Sequence, residues 1–541
     1  MSESITDIDK VDQWPSFEAF QKDPDVAHQE IEELYTLIAR NGELAWIIDQ
    51  LAQEGSDDYK QAYPGQGLVV TGYENDDVDE TELSREVLGI DLIEKTIQGW
   101  LYYLELFNHP DRLKHLFEQS SQDFTPPKAK FHPFFFLSRL LKRSLTINDL
   151  KLNASGSHQS RAQRTQAHKE SLFVSYGRPL GFVDRLRMML DGEIQFNHGR
   201  HQARNVVVGA ANPEITGSPM ALATLAQAHS LVCVPRDGFF SNIQRQVDLV
   251  TKAREWLQRS PVLYGHSEVE QKKLLDFWHH NLVGVIEPSA SKAFTRAEAL
   301  YEAGIRTFRI YSPEPSSAPL ETLKALRQLE AANNWEPIEI FVGQVVDVKQ
   351  AVDLEKAGAN ALYFGIGGGG RCITGVVAGL TINWPELVWQ LRGKIKIPMI
   401  VEGGANDHMP ESLAVGVSGI GTAGKFAGTI ETPGGYLFLT DKHGEQFKYY
   451  GGEASDRMRV MAGRQGPLGF VLNREGETRR RKLRNGGHDL PTLLQVLYEQ
   501  QQGIVAGLIF QNVRSIAEFQ DVAASSLRQA SPNDDVVRHT H

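Results

Sequence analysis

The sequence predicts an α/β protein built on a (β/α)8 TIM barrel and preceded by a mainly helical N-terminal region. Three observations carry this prediction. From about residue 205, short β-branched or apolar runs alternate with amphipathic helical stretches. Several of those runs are entered through the same glycine-containing joint. Glycine clusters follow the last three runs, where a barrel carries the loops of its chemistry.

The runs are Val206–Gly209, Leu231–Pro235, Leu282–Glu287, Thr307–Tyr311, Ile338–Val342, Ala361–Gly365, Pro398–Val401 and Gly419–Thr422. Continuous apolar strands alternating with helices imply a parallel sheet covered by helices. Eight such units in roughly 220 residues suit a closed barrel better than an open sheet. Glu302-Ala-Gly-Ile-Arg, Lys356-Ala-Gly-Ala-Asn and Ala414-Val-Gly-Val-Ser each stand before a run, as helix C-caps leading into strands. A doubly wound sheet would place a dinucleotide fingerprint after its first strand. Ala210-Ala-Asn-Pro-Glu does not supply one.

Residues 1–130 read as helix and acidic loop. Ile31, Leu34, Tyr35 and Ile38 form one amphipathic stripe, and Ile93, Ile97, Trp100, Leu101 and Leu104 form another. The acidic stretch Glu74–Glu82 between them reads as a solvated loop. Residues 131–200 are a connecting region, with an apolar run at Phe134–Leu141 and a polar segment at Ser155–Lys169. Residues 201–541 then form the catalytic barrel with its flap and tail.

A net charge of -12 over 541 residues argues against nucleic acid and anionic membrane surfaces as partners. Only two cysteines occur, Cys233 and Cys372, which excludes a disulfide framework and a cysteine-rich zinc site. The acidic start lacks a secretory apolar core, and no 18-residue apolar run occurs, so a cytoplasmic protein is expected.

The chemistry gathers at the last three strand ends. After the sixth stands Gly365-Ile-Gly-Gly-Gly-Gly-Arg-Cys372-Ile-Thr374. Its glycines allow close backbone approach to a ligand, and a cysteine beside an arginine can be activated as a thiolate. A flexible loop with an incidental cysteine is the bland alternative. The seventh run leads into Glu402-Gly403-Gly404, where a carboxylate can accept hydrogen bonds from a ribose diol. After the eighth, Ala423-Gly424-Lys425 is expected to open a helix whose N–H groups hold an anion. Together the three loops point to a nucleoside monophosphate. Cys233, inside the second run, reads as a packed core cysteine, and Arg479–Arg484 as a solvated basic face.

These motifs resemble the IMP dehydrogenase/GMP reductase family. Gly365–Thr374 is similar to its active-site loop, whose cysteine attacks purine C2. Val401–Ala405 resembles its Asp-Gly-Gly ribose and phosphate loop, with Glu402 in place of the aspartate. Gly421–Gly434 is similar to its second phosphate loop, and Tyr449-Tyr450-Gly451-Gly452 stands where the family has Tyr-x-Gly-Met. Ser526–Asp534 resembles the tail of bacterial members. The resemblance covers about residues 200–534, extended by a fainter likeness at Leu145–Leu152. It departs in having no room for a CBS pair, in Gln344 replacing a cofactor-contacting asparagine, and in Tyr311-Ser-Pro-Glu-Pro lacking the usual aspartate. The flap Gly463–Asn473 lacks an Arg-Tyr pair, whereas Arg474-Glu475-Gly476-Glu477-Thr478 is similar to the stretch that carries the catalytic glutamate of GMP reductases.

The resemblance implies oxidation of IMP to XMP through a covalent Cys372 intermediate, with GMP reduction or a non-catalytic nucleotide-binding protein as alternatives. Cys372, Thr374 and Glu475 would be catalytic. Gly370, Glu402, Gly403, Gly404, Ala423, Gly424, Tyr449, Gly451 and Gly452 would bind substrate, and Gln344, Gly365 and Gly367 the NAD or NADP. Carbonyls of Gly367, Gly369 and Cys372 would hold potassium, and the assembly would be a homotetramer.

Overall fold

The computed structural model describes residues 205–524 except 264–265, 313–315, 367–371, 373, 380–381, 404–408, 436, 441–442, 464–474, 483–490 and 512–515, with scattered positions between 46 and 108. Strand β1 (Ser84–Val87) precedes the barrel. The barrel strands are β2 (Val207–Gly209), β3 (Val232–Val234), β4 (Leu282–Ile286), β5 (Thr307–Tyr311), β6 (Glu339–Gly343), β7 (Ala361–Phe364), β8 (Met399–Glu402) and β9 (Gly419–Thr422). They pair in sequence, and β9 closes in parallel on β2. All eight fall on the runs picked out above.

The period of two along each strand divides the core into layers. Val208, Cys233, Val283, Val285, Phe341, Ala361, Tyr363 and Ile400 pack inside the barrel. Their neighbours, among them Val207, Val232, Leu282, Ile340, Leu362 and Val401, face the surrounding helices. Cys233 is fully buried in the inner layer, as its place in an apolar run predicts.

The three glycine joints are C-caps. Gly304, Gly358 and Gly416 have φ of +101°, +95° and +127°, a region that favours glycine. The residue after each turns back onto the helix, with Ile305 N–H to Leu300 O at 2.9 Å and Ala359 N–H to Leu354 O at 3.1 Å.

Of the N-terminal stripe, Ile97, Trp100, Leu101 and Leu104 are buried in the same apolar cluster as the barrel helices. Asn108 donates to Gln227 O at 3.0 Å, and Trp46 lies 4.4 Å from Trp256 between ring centroids. Ile93, the first stripe, the Glu74–Glu82 loop and residues 131–200 lie outside the described residues.

A second sheet departs from the expected organisation. Strands β10 (Leu437–Thr440), β11 (Gln446–Gly451) and β12 (Thr478–Lys482) join β1 in the antiparallel order β1-β10-β11-β12. The segment around residue 84 was expected to belong to a helical and loop region. It is a strand because β10 offers it a pairing edge across some 350 residues of chain, with Ser84 opposite Thr440 and Val87 opposite Leu437. Tertiary context of this kind overrides weak local preference.

Candidate active site

Strand β7 delivers the chain to the barrel mouth through Gly365, at φ +132°. A Cβ there would collide with the Glu402 carbonyl oxygen of β8, so the position admits only glycine. Beyond the loop, Cys372 is half-buried and Thr374 opens a helical turn, Thr374–Val377. The Cys372 thiol donates to Thr374 Oγ1 at 3.0 Å, and that hydroxyl donates to Glu475 Oε2 at 2.8 Å. Three residues singled out from two separate motifs, the last 101 positions away from Thr374, thus form one hydrogen-bonded chain.

Glu475 is held there by its neighbour. Gly476 bridges both Cys372 and Ser455, and Glu475 N–H donates to Ala454 O at 3.1 Å. A Cβ on Gly476 would stand 2.8 Å from the Ser455 nitrogen. Close passage of two backbones therefore explains the glycine after the glutamate. Gly367, Gly369, Gly370 and Gly404 lie outside the described residues, so the potassium, cofactor and phosphate contacts expected of them have no described geometry.

Glu402, at the end of β8, turns into the barrel. Its Oε1 and Oε2 accept from the two Nη groups of Arg309 at 2.7 and 2.6 Å, and Gln344 Nε2 reaches Oε2 at 3.3 Å. Arg309 is an inward residue of β5, lying 3.8 Å from the Tyr363 ring centroid and 4.8 Å from that of Tyr311. Gly403, with φ +72°, follows directly. The side-chain oxygen of Gln344 is buried without a hydrogen-bond partner among the described residues.

The segment after β9 corrects one expectation. Ala423–Gly428 forms successive turns rather than the start of a helix, with Phe426 N–H returning to Ala423 O at 2.9 Å. Glycine weakens helix, and Gly428 takes φ +85°, outside helical space. A helix dipole therefore does not act here, and any anion affinity rests on local N–H groups. Tyr450, rather than Tyr449, is the ring beside this turn: its Cε1 lies 3.6 Å from where a Gly424 Cβ would be. Tyr449 points to the other face of β11 and packs with Leu439, Phe447 and Met458.

Buried charges fix this wall. Lys448 Nζ donates to the carbonyls of Thr429 and Thr432 at 2.8 and 3.2 Å. Both oxygens of Glu431 accept from Leu493 N–H at 2.9 Å, and burial pushes that carboxyl up to about 7. Gly451 is gripped from the first barrel loop: Asn212 Nδ2 donates to its carbonyl at 2.8 Å, and its N–H donates to Glu214 Oε2 at 2.6 Å. Glu214 also pairs with Arg457. Gly452 N–H donates to Glu477 O at 2.8 Å, tying this loop to the strand that follows Glu475. Burial, reinforced by a hydrogen-bonded Asp237, pushes the Glu453 carboxyl well above the usual range.

Sequence reading missed Arg309, Asn212, Glu214, Lys448, Arg457 and Glu453. Arg309 was discoverable, because strand parity puts residues 307, 309 and 311 of β5 on the inner face. Asn212, Glu214, Arg457 and Glu453 act through partners more than 200 residues away, and Lys448 stands on a strand of the second sheet, which local pattern did not reveal. Among the described residues there is no cluster suited to a metal ion, and no helix is long and apolar enough to cross a membrane.

Comparison with known proteins agrees with this layout. The IMP dehydrogenase / GMP reductase domain matches residues 199–534. Inosine-5'-monophosphate dehydrogenase of Chlorobaculum parvum is 27% identical over 270 residues, which cover 47% of this chain and 52% of that protein. The Helicobacter pylori (strain ATCC 700392 / 26695) protein of the same name is 27% identical over 251 residues, covering 43% of this chain and 49% of its own length. The Toxoplasma gondii protein is 29% identical over 244 residues, covering 44% and 42%. The chain thus spans about half the length of the curated relatives it matches. With the domain matched over more than half its length, and an eight-stranded barrel carrying the cysteine after its sixth strand, the chain belongs to the IMP dehydrogenase/GMP reductase family.

Proposed function

We propose that the protein is a purine-nucleotide oxidoreductase that converts IMP to XMP through a covalent bond to Cys372. The observation that carries this reading is the chain from the Cys372 thiol through Thr374 to Glu475. It gives the thiol proton a route to a carboxylate, leaving a thiolate to add to purine C2. A bound nicotinamide supplies the hydride acceptor. Water then takes the place of sulfur at C2. Once Glu475 has passed the first proton to solvent, water's proton leaves by the same Thr374 hydroxyl to Glu475, and the thiolate is released. General acid–base assistance of this kind contributes about 10²–10⁴-fold in rate.

The residues present suit a nicotinamide. The unpartnered Gln344 oxygen can accept from a carboxamide N–H, and leaving it unmet inside the protein is costly. Its position at the end of β6, one strand from the cysteine loop, supports that assignment.

GMP reduction is the second reading. The Thr374–Glu475 bond serves it equally, since the same pair can protonate ammonia as it leaves C2. Absorbance at 340 nm decides between them. IMP with NAD+ is expected to produce reduced cofactor; consumption of NADPH with GMP alone would reverse the direction. Silence in both assays would favour a binding protein.

A further inference from the structure

The apolar part of the inner layer is made of Val, Ala, Leu, Phe, Tyr, Ile and Cys side chains, and β5 places an arginine among them. The Arg309 side chain is 1% exposed, and its guanidinium is answered almost wholly by one group, the Glu402 carboxylate. The pairing is a fork on a fork, with both oxygens engaged at 2.7 and 2.6 Å. Tyr363 and Cys233 close around it, with the Cys233 sulfur 3.8 Å from Nη1.

Strand β9 makes room for this arrangement. A Cβ on Gly421 would collide with Glu402 Cγ and stand 3.1 Å from Oε1. The glutamate therefore lies folded across Gly421 toward the barrel axis, rather than upright at the mouth. Gln344 takes a further lone pair of Oε2. With three donors already in place and its charge matched by an arginine that hydrogen-bonds no other carboxylate among the described residues, Glu402 has little left to offer a sugar. Releasing it would strand a buried cation.

Resting on the purine-nucleotide reading, we infer that this site does not read the ribose 2′-hydroxyl through Glu402, and that Arg309 is the residue that sets this tolerance. The protein accepts 2′-deoxyribonucleoside monophosphates about as well as ribonucleoside monophosphates. A carboxylate free to accept from the hydroxyl would favour the ribonucleotide by about ten- to a hundredfold.

Calorimetric titration of the full chain with IMP and with 2′-deoxy-IMP tests this. Dissociation constants within threefold of each other support the inference, and a preference of more than tenfold for IMP overturns it while leaving the nucleotide site standing. Binding of neither removes the nucleotide reading and the inference with it. Arg309→Met, checked for folding by circular dichroism, is expected to raise the preference for IMP to tenfold or more, a change that loss of packing alone would not produce. Should that variant fail to fold, Arg309→Lys keeps a cation in the barrel but breaks the fork, and an intermediate preference is expected. A folded variant in which the ratio stays near one overturns the role of Arg309.

Discussion

At the residue scale, catalysis is assigned to a sulfur, a hydroxyl and a carboxylate linked in series. Cys372→Ser is expected to abolish turnover with the far-UV spectrum unchanged, because serine keeps the hydrogen bond but not the nucleophile. Thr374→Val cuts the series in the middle, and Glu475→Gln removes its base. Each is expected to lower kcat by about 10²–10⁴-fold with a smaller change in KM, read by steady-state kinetics. If Glu475→Gln keeps kcat within threefold and the same pH profile, the relay is wrong. These three residues were legible because each sits in a distinctive local motif. Arg309 was open to strand parity alone, although a charged residue within an apolar run is easily taken for an outward position. Only the long-range partner Glu402 explains its burial.

At the scale of elements, the strands and their glycine joints could be read from the sequence, because period-two burial and positive φ leave local marks. The sheet β1-β10-β11-β12 could not. Its strands are four to six residues long and come from three distant stretches of chain. The sheet nonetheless governs the site, because Glu475 and Gly476 lead directly into β12. Gly476→Ala places a methyl 2.8 Å from the Ser455 nitrogen, a backbone atom that has no easy retreat. The variant is expected to lose more than tenfold in kcat and about 1–3 kcal/mol of stability, measured by kinetics and urea unfolding. Wild-type activity in that variant would mean that the approach of Gly476 to Ser455 does not set the position of Glu475.

At the scale of the whole molecule, buried ionisable groups make stability depend on pH. Burial lowers His229 and His279 from 6.5 to about 4, so both are neutral in the fold. Between pH 6.5 and about 4 the unfolded chain binds protons that the folded chain refuses, and stability is lost as pH falls through that window. Glu431 acts oppositely: its folded value of about 7 exceeds 4.5, so its contribution improves as pH falls between those values. Glu214 and Glu453, whose carboxyls burial also raises, act in the same direction as Glu431, so the histidine share shows in a comparison with a histidine variant rather than in the total. In urea unfolding across that range, His229→Gln is expected to gain about 2–3 kcal/mol relative to the wild type as pH falls from 6.5 to 4; a difference between the two that does not change with pH contradicts a neutral buried His229. Beyond stability, the architecture converges on one claim, that the β7 loop presents Cys372 as a nucleophile to a purine held at the barrel mouth. The most direct measurement is the intact mass of the full chain after incubation with 6-chloro-IMP, followed by peptide mapping. One nucleotide is expected to add per chain with loss of HCl, located on Cys372, blocked by excess IMP and absent from Cys372→Ser. An unmodified chain, or label on Cys233 instead, would contradict it.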